Sequence, residues 1–248
     1  MDYGKDFEEG YSPTRYGNLF YRHHPGSGTS TFFLHGFGAN TKVWSKLVQY
    51  INYNRDIYLV DLLGHGNSDA PKINYTIKVQ CESLMDLMSN VKAQNPSIFG
   101  HSYGGWVAAY FEYLYNSLKG IILEDPAGIS EYFKDILMSE DPEKYKREMV
   151  EKALKINSNK EYVLKSIVEN DFKSEQLDPA KLAKISKPVL IFWGGNDSII
   201  STKYASILSS QIKGSKLSII EGAGHDAHFT NAERVAAEFE SFMDSINR

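Results

Sequence analysis

The sequence predicts an α/β fold with a doubly wound, mostly parallel sheet and a helical insertion before the last two strands. Short apolar runs do not alternate with polar residues, which is typical of parallel strands that are buried on both faces. Segments with helical periodicity separate these runs along the chain. The length of 248 residues fits one such domain with a modest insertion and is long enough to bury a core without disulfides.

The elements follow in order along the chain. The stretch TRYGNLFYRHH at residues 14–24 predicts an antiparallel hairpin that turns at Gly17–Asn18. Parallel strands are then predicted at residues 30–36, 56–62, 97–102, 120–125, 188–194 and 216–222. Helices are predicted where apolar residues share one helical face: Trp44, Leu47, Val48 and Ile51; Ile77, Cys81, Leu84, Met88 and Val91; Val235, Phe239, Phe242 and Ile246.

Residues 127–186 contain no convincing strand and carry helical patterns instead. A structureless loop of this length is improbable inside a compact domain. We therefore expect a helical cap over the end of the sheet, called the cap segment below. The α/β core then comprises residues 1–126 and 187–248.

Composition narrows the classes of protein. The formal net charge of −4 argues against a nucleic-acid partner and gives no reason to expect attraction to anionic membranes. Cys81 is the single cysteine, so no disulfide within the chain is available and a reducing compartment is the simplest setting. The acidic start MDYGKDFEEG has no apolar signal region, and no run approaches the ~18 apolar residues of a membrane span. A soluble, cytoplasmic protein is expected.

The stretch Gly100-His101-Ser102-Tyr103-Gly104 has the pattern G-x-S-x-G between an apolar strand and a helical run. A nucleophile at the carboxyl end of a sheet requires a sharp turn from strand to helix. Glycines flank the serine because side chains there would clash with nearby backbone. The new helix also points its first N–H groups at a developing oxyanion. The alternative is a glycine-rich turn with an incidental serine.

A serine hydroxyl needs a base, and the base needs an acid that orients it. His225 lies in a glycine-flanked loop after the last strand, with His228 as its rival. Asp197 follows the strand at 188–194 and is favoured as the acid, while Asp125 at the end of another strand remains the competitor. The alternative reading of each histidine is a surface or capping role. Two close histidines without further ligands make a zinc site a weak interpretation.

The oxyanion would be held by two backbone N–H groups, those of Phe37 and Tyr103. The alternative for the HGFG stretch is a flexible loop with a buried histidine. The substrate pocket is predicted to be largely apolar and favours an apolar acyl or alkyl group. Its predicted lining residues are Phe37, Tyr103 and Trp193 from the core and Tyr132, Phe133 and Met138 from the cap segment, which also contains Tyr145, Tyr162 and Phe172.

Five stretches together resemble the α/β-hydrolase superfamily, in particular its serine carboxylesterase-like members with a helical cap. They are LHGFGAN (34–40), DLLGHGNSD (61–69), GHSYGG (100–105), GGND (194–197) and GAGHDAH (222–228). The resemblance implies the α/β-hydrolase fold and a nucleophile–acid–histidine order that fits Ser102, Asp197 and His225. It also implies a cap after the sixth strand, where residues 127–186 lie, and this cap usually sets substrate choice.

The resemblance implies a serine hydrolase that cleaves small carboxylic esters through an acyl-enzyme, with no metal or cofactor. Dehalogenases and epoxide hydrolases of this fold use an aspartate nucleophile, whereas position 102 is serine. The HGFGAN loop differs from the HGGPG-like loop of proline iminopeptidases, and Asp226 stands where carbon–carbon bond hydrolases usually carry tryptophan. An amide or peptide hydrolase, a carbon–carbon bond hydrolase and a non-catalytic ligand-binding member remain alternatives.

Overall fold

Eight strands form one sheet in the order β1-β2-β4-β3-β5-β6-β7-β8 in a computed structural model that describes residues 3–4, 6–171, 173 and 175–248. The strands are β1 (Glu8–Thr14), β2 (Gly17–His24), β3 (Ser27–Leu34), β4 (Arg55–Val60), β5 (Ser97–His101), β6 (Ile121–Glu124), β7 (Val189–Gly194) and β8 (Lys216–Ile220). The pairings β1–β2 and β2–β4 are antiparallel. The pairings from β4 through β3, β5, β6 and β7 to β8 are parallel, which confirms the predicted fold class.

Helices cover both faces of the sheet. A 3₁₀ helix spans Thr41–Ser45, and the α-helices are α1 (Leu47–Tyr50), α2 (Ile77–Asn90), α3 (Tyr103–Tyr115), α4 (Ser130–Leu137), α5 (Pro142–Ile156), α6 (Glu161–Asp171), α7 (Pro179–Leu182), α8 (Lys203–Gln211), α9 (Ala227–Thr230) and α10 (Ala232–Ile246). Neighbouring residues of β3 belong to different hydrophobic clusters: Phe33 to the one that includes residues of α1 and α10, and Phe32 to the one that includes residues of α2 and α3. Burial on both faces explains why the strands read as continuous apolar runs.

The hairpin forms, but its turn lies two residues before the predicted Gly17–Asn18. Thr14 pairs with Gly17, so Arg15 and Tyr16 make the turn. The Arg15 guanidinium donates two hydrogen bonds of 2.9 and 2.7 Å to Asp86 on α2, and the Tyr16 hydroxyl donates to Glu82. These contacts with α2 hold the turn at a position that local turn chemistry does not indicate.

Between β6 and β7 the described residues form helices α4 to α7, joined by one isolated bridge between Ile129 and Leu177. Helices α5 and α6 pack through a small cluster that contains Val150 and Leu164. The exact division into a core and a cap at residues 127 and 186 stays a prediction. Within the described ranges, no helix combines the length and the apolar character needed to cross a bilayer.

Candidate active site

Ser102 lies at the turn between β5 and α3 with φ 52° and ψ −113°. Residues other than glycine rarely adopt a positive φ, so the surrounding structure must hold this conformation. The Ser102 N–H donates to the Glu124 carbonyl at 2.9 Å, and its own carbonyl accepts from Trp106 at 3.1 Å and Ala127 at 3.0 Å. The turn is therefore tied to the end of β6 as well as to its own helix.

Gly100 and Gly104 allow this turn to pack closely. A Cβ atom at Gly100 would lie 2.3 Å from the Gly104 carbonyl oxygen, and one at Gly104 would lie 2.2 Å from the Leu34 carbonyl oxygen. No larger residue fits at either position without moving the backbone. The spacing of the two glycines thus follows from the approach of β3 and α3 to the serine.

His225 and Asp197 are brought together by the loops after β8 and β7. His225 Nδ1 lies 2.7 Å from Asp197 Oδ2, and Asp197 Oδ1 accepts N–H hydrogen bonds from Ile199 at 2.7 Å and Ile200 at 3.0 Å. Burial raises the pKa of Asp197, but the hydrogen bond and charge of His225 and the two N–H donors lower it more, so the net shift is downward. An ionised Asp197 accepts a hydrogen bond from the protonated Nδ1 of His225, which leaves Nε2 as the basic nitrogen.

The loop that carries His225 is attached to the strand that carries the serine. His101 Nε2 lies 2.8 Å from the His225 carbonyl oxygen, and the two rings are 4.8 Å apart. Burial, followed by the charges of neighbouring histidines, holds the pKa of His101 well below its usual range. A neutral His101 donates to this carbonyl and ties the 222–228 loop to the residue that precedes Ser102.

The rival base His228 occupies a different environment. It is 1% exposed, its ring lies 4.7 Å from that of Trp44, and its Nδ1 lies 2.9 Å from Glu124 Oε1. The His228 N–H donates to the same oxygen at 2.7 Å. Burial lowers the pKa of His228, but the charge and hydrogen bond of Glu124 raise it further, so the net shift is upward. These contacts give His228 a structural role that fastens α9 to the end of β6.

The competing acid Asp125 lies beside Asp197 but bonds elsewhere. Its Oδ1 accepts from the Gly194 N–H at 2.8 Å. Burial, then the charges of Glu124 and Asp197, raise the pKa of Asp125 to about 10. The protonated form of Asp125 is therefore favoured at neutral pH, and the carboxylate that accepts the hydrogen bond from His225 Nδ1 is that of Asp197.

The N–H groups of Phe37 and Tyr103 flank the serine. A Cβ atom at Gly36 would lie 3.3 Å from Ser102 Cβ, which shows how closely the loop after β3 approaches the nucleophile. Tyr103 is the first residue of α3, where N–H groups lack helical partners. In the described part of the chain, neither N–H has a backbone acceptor. Both donors are thus available for an oxyanion.

The loop that contains Phe37 is held by the segment between α5 and α6. The Gly38 carbonyl accepts hydrogen bonds from the side-chain amides of Asn157 at 2.7 Å and Asn159 at 2.8 Å. Gly38 has φ +70°, and a Cβ atom there would lie 2.6 Å from Ala153 Cβ. The position of the predicted oxyanion donor therefore depends on residues of the cap segment.

A cavity of about 190 Å³ opens at Ser102. Four predicted pocket residues line it, namely Phe37, Tyr103, Tyr132 and Phe133. Tyr145, Met149 and Asp171 from the cap segment and Ile199 from the loop after β7 also line it. Phe172 lies outside the described residues.

Two predicted pocket residues lie elsewhere. Trp193 is fully buried in the core, where its indole N–H donates to the Ile200 carbonyl at 3.0 Å. Met138 follows the last residue of α4 and is 84% exposed to solvent. Neither side chain lines the cavity, so these two assignments are corrected.

Asp171 and Glu124 were missed in the sequence. Asp171 is the last residue on the buried face of α6, three residues after Val168. An acid on an otherwise apolar helical face is the sequence signal that could have identified it. Glu124 is an acid within a continuous apolar strand, and its side chain is completely buried. Both signals were visible as charges at positions where the pattern predicts burial.

Among the described residues, two clusters bring metal-ligand atoms within 4.8 Å of one another: Asp125, Asp197 and His225; and His101, Asp226 and His228. The histidines of both clusters already form hydrogen bonds within the protein. His225 is bonded to Asp197, His101 to the His225 carbonyl and His228 to Glu124.

The chain is similar to several known proteins. A methyl ester esterase for pimeloyl-[acyl-carrier protein] from Neisseria meningitidis is 25% identical, covering 90% of this chain and 79% of the relative. A monoacylglycerol lipase from Xenopus laevis is 24% identical, covering 93% of this chain and 81% of the relative. An esterase structure from Thermogutta terrifontis has a TM-score of 0.79 at 19% identity, covering 97% of this chain and 100% of that one, a likeness of fold.

The sequence model of the alpha/beta hydrolase family matches residues 32–238. This range includes the serine turn, the loop of Asp197 and the loop of His225. It confirms the resemblance drawn from the five motif stretches. Because the match extends over more than half of its length, the chain belongs to the alpha/beta hydrolase family.

Proposed function

We propose that the protein is a serine hydrolase that cleaves carboxylic esters of small, largely apolar substrates through an acyl-enzyme. The observation that carries this proposal is the 2.7 Å contact between His225 Nδ1 and Asp197 Oδ2, in a loop bonded to the strand of Ser102. An imidazole oriented by a buried carboxylate beside a strained serine turn is an arrangement suited to nucleophilic catalysis.

In the proposed cycle, His225 Nε2 takes the proton of the Ser102 hydroxyl while its oxygen attacks the ester carbonyl. The N–H groups of Phe37 and Tyr103 donate to the oxyanion, and each such donor typically stabilises a transition state by about 3 kcal/mol. His225 then gives the proton to the departing alcohol. A water molecule, deprotonated by the same imidazole, hydrolyses the acyl-enzyme.

The choice of an ester bond is supported by the relatives and by the cavity. The names of two relatives describe a lipase and a methyl ester esterase, both of which act on carboxylic esters. The cavity of about 190 Å³ is smaller than the roughly 300–1,000 Å³ of sites for drug-sized ligands. Aromatic and aliphatic lining suits a short acyl or alkyl group.

The test measures hydrolysis of para-nitrophenyl butyrate by wild type and Ser102→Ala. We expect the substitution to lower kcat by about 10⁴-fold or more, because the nucleophile is lost. Ser210→Ala on the exposed surface of α8 is the matched control and should hydrolyse at the wild-type rate. Equal, slow hydrolysis by wild type and Ser102→Ala would refute the proposal that the protein is a serine hydrolase. Faster cleavage of the matching anilide than of the ester would instead indicate that the preferred substrate is an amide.

A further inference from the structure

Asp171 is a carboxylic acid in the cavity that opens at Ser102. It is the last residue of α6 and is only 6% exposed. Its carboxyl oxygens form no hydrogen bond or ion pair with any residue that the structure describes. Most buried polar side chains have a partner, because an unpaired buried polar group costs stability. A buried carboxyl group that lines a ligand cavity without a protein partner is available to a ligand.

No cation among the described residues forms an ion pair with Asp171. Burial, followed by the nearby charge of Glu175, raises the pKa of Asp171 well above its usual range. Glu175 itself accepts N–H hydrogen bonds from the first residues of α2, including one of 2.6 Å from Ile77. Lys152 also lines the cavity, but it is exposed and makes no ion pair with Asp171 among the described residues. Burial and the neighbouring charge therefore both favour the protonated form of Asp171.

Three tyrosines share this end of the cavity. Tyr103, Tyr132 and Tyr145 line it, and the charge that an ionised Asp171 would carry contributes to the raised pKa of each, after the larger effect of burial. The hydroxyls of Tyr132 and Tyr145 are hydrogen-bonded to each other. Asp171 and these tyrosines thus add polar groups to a mostly apolar cavity.

A protonated carboxyl group offers one donor and at least one acceptor. A hydroxyl group offers the same pair, so the two can exchange reciprocal hydrogen bonds. A ketone or ether would leave the acceptor of Asp171 unpaired, and an ammonium group would require Asp171 to ionise beside Glu175. We propose that Asp171 is a specificity-determining residue, and that the enzyme takes esters carrying a hydroxyl group that pairs with this carboxyl.

This proposal rests on the proposed esterase function, and its test compares matched esters. One pair places the hydroxyls in the alcohol half, glycerol monobutyrate against propyl butyrate. The other places the hydroxyl in the acyl half, ethyl β-hydroxybutyrate against ethyl butyrate. We expect wild type to favour the hydroxylated member of one pair by at least about tenfold in kcat/KM, because the other ester leaves a buried acid unpaired.

Two substitutions of Asp171 separate hydrogen bonding from shape. Asp171→Leu has no polar atom and should reduce the ratio of the two kcat/KM values to near unity. Asp171→Asn keeps a donor and an acceptor and should retain most of the preference. Glu169→Gln, an exposed acid on the same helix, is the matched control and should show the wild-type ratio.

Several outcomes would overturn the proposal. One is that wild type shows no preference for the hydroxylated ester in either pair, and another is that this preference survives Asp171→Leu. A third is a preference for butyrylcholine that Asp171→Asn abolishes, which would indicate a cation site. The readout is a ratio between substrates, so it does not depend on how much active protein each variant yields. Failure of the proposed function gives a different result: wild type would hydrolyse none of these esters faster than Ser102→Ala does.

Discussion

Asp125 and Asp197 lie side by side at the carboxyl ends of neighbouring strands, and their surroundings give them different charges. Asp197 accepts hydrogen bonds from two backbone N–H groups and from His225, which lower its pKa against the effect of burial. Asp125 accepts from Gly194 and faces two other carboxyl groups, which raise its pKa together with burial. The hydrogen-bond donors around each acid, rather than its position in the sequence, therefore decide which of the two is a carboxylate that can accept a hydrogen bond from His225.

The first prediction compares Asp197→Asn with Asp125→Asn. Asp197→Asn should lower kcat for ester hydrolysis by about 10³–10⁴-fold, because the amide neither stabilises a charged imidazole nor favours the correct tautomer. Asp125→Asn should cost less than about tenfold, because an amide oxygen can still accept from Gly194 and the replaced group is neutral. A larger loss for Asp125→Asn in steady-state kinetics would exchange the two roles.

At the scale of elements, the serine turn depends on how closely β3, β5 and α3 approach one another. Gly104 allows that approach because its α-carbon faces the backbone at the end of β3. The second prediction is that Gly104→Ala lowers the free energy of unfolding by roughly 1–3 kcal/mol or more, since a Cβ atom would lie 2.2 Å from the Leu34 carbonyl oxygen. Urea denaturation measures this change.

The matched control is Gly224→Ala, in the loop before His225. A Cβ atom there meets nothing within 4 Å, and Gly224 is not among the positive-φ glycines. Its stability should stay within about 0.5 kcal/mol of wild type. Comparable losses for both variants would show that the approach of β3 does not constrain the turn.

The strands and helices were predictable from the sequence where a single physical cause, such as burial, determines them. Six parallel strands follow from continuous apolar runs, because burial on both faces removes the need for alternation. The hairpin turn was misplaced because Gly17 and Asn18 carry a strong local turn signal, while Arg15 and Tyr16 make the turn through contacts with α2. Such contacts join residues 66 and 71 positions apart, so no local pattern contains them.

At the scale of the whole molecule, buried acids make stability depend on pH. Asp125 has a folded pKa of about 10 against an ordinary value of 3.8, so the folded state keeps a proton that the unfolded state has released between these values. Stability from this group is fully present below the unfolded pKa and is lost as pH rises toward the folded pKa. The pKa of His228 is also raised in the folded state. Its contribution to stability is therefore likewise lost as pH rises above the ordinary pKa of histidine toward the folded value.

The third prediction follows from this sign. Between about pH 6 and about pH 9, the free energy of unfolding of wild type should fall more steeply than that of Asp125→Asn, by up to about 1.4 kcal/mol per pH unit for one proton. Titrating groups that do not interact with Asp125 contribute equally to both proteins and cancel in the difference. Urea denaturation at several pH values measures the two slopes, and parallel slopes would show that Asp125 is ionised in the folded state.

The arrangement of the candidate triad residues follows from the motifs and the fold, whereas the residues that line the cavity were harder to predict. Ser102, Asp197 and His225 follow strand ends at one edge of the sheet, so topology alone brings their loops together. Trp193 and Met138 were misassigned because pocket lining depends on which way a residue faces after the helices pack. Asp171 was missed for the same reason, although its place on the apolar face of α6 was visible.

The two asparagine amides on the Gly38 carbonyl have a consequence for chimeric enzymes. Exchanging residues 127–186 for the corresponding part of a relative would replace helices α4 to α7 and both asparagines in one step. A hybrid without an amide at 157 or 159 would hold the neighbouring 36–39 loop less firmly and turn over slowly even a substrate that both parents accept. A cap segment transferred from a relative would therefore need to carry a side-chain amide that can bind the Gly38 carbonyl.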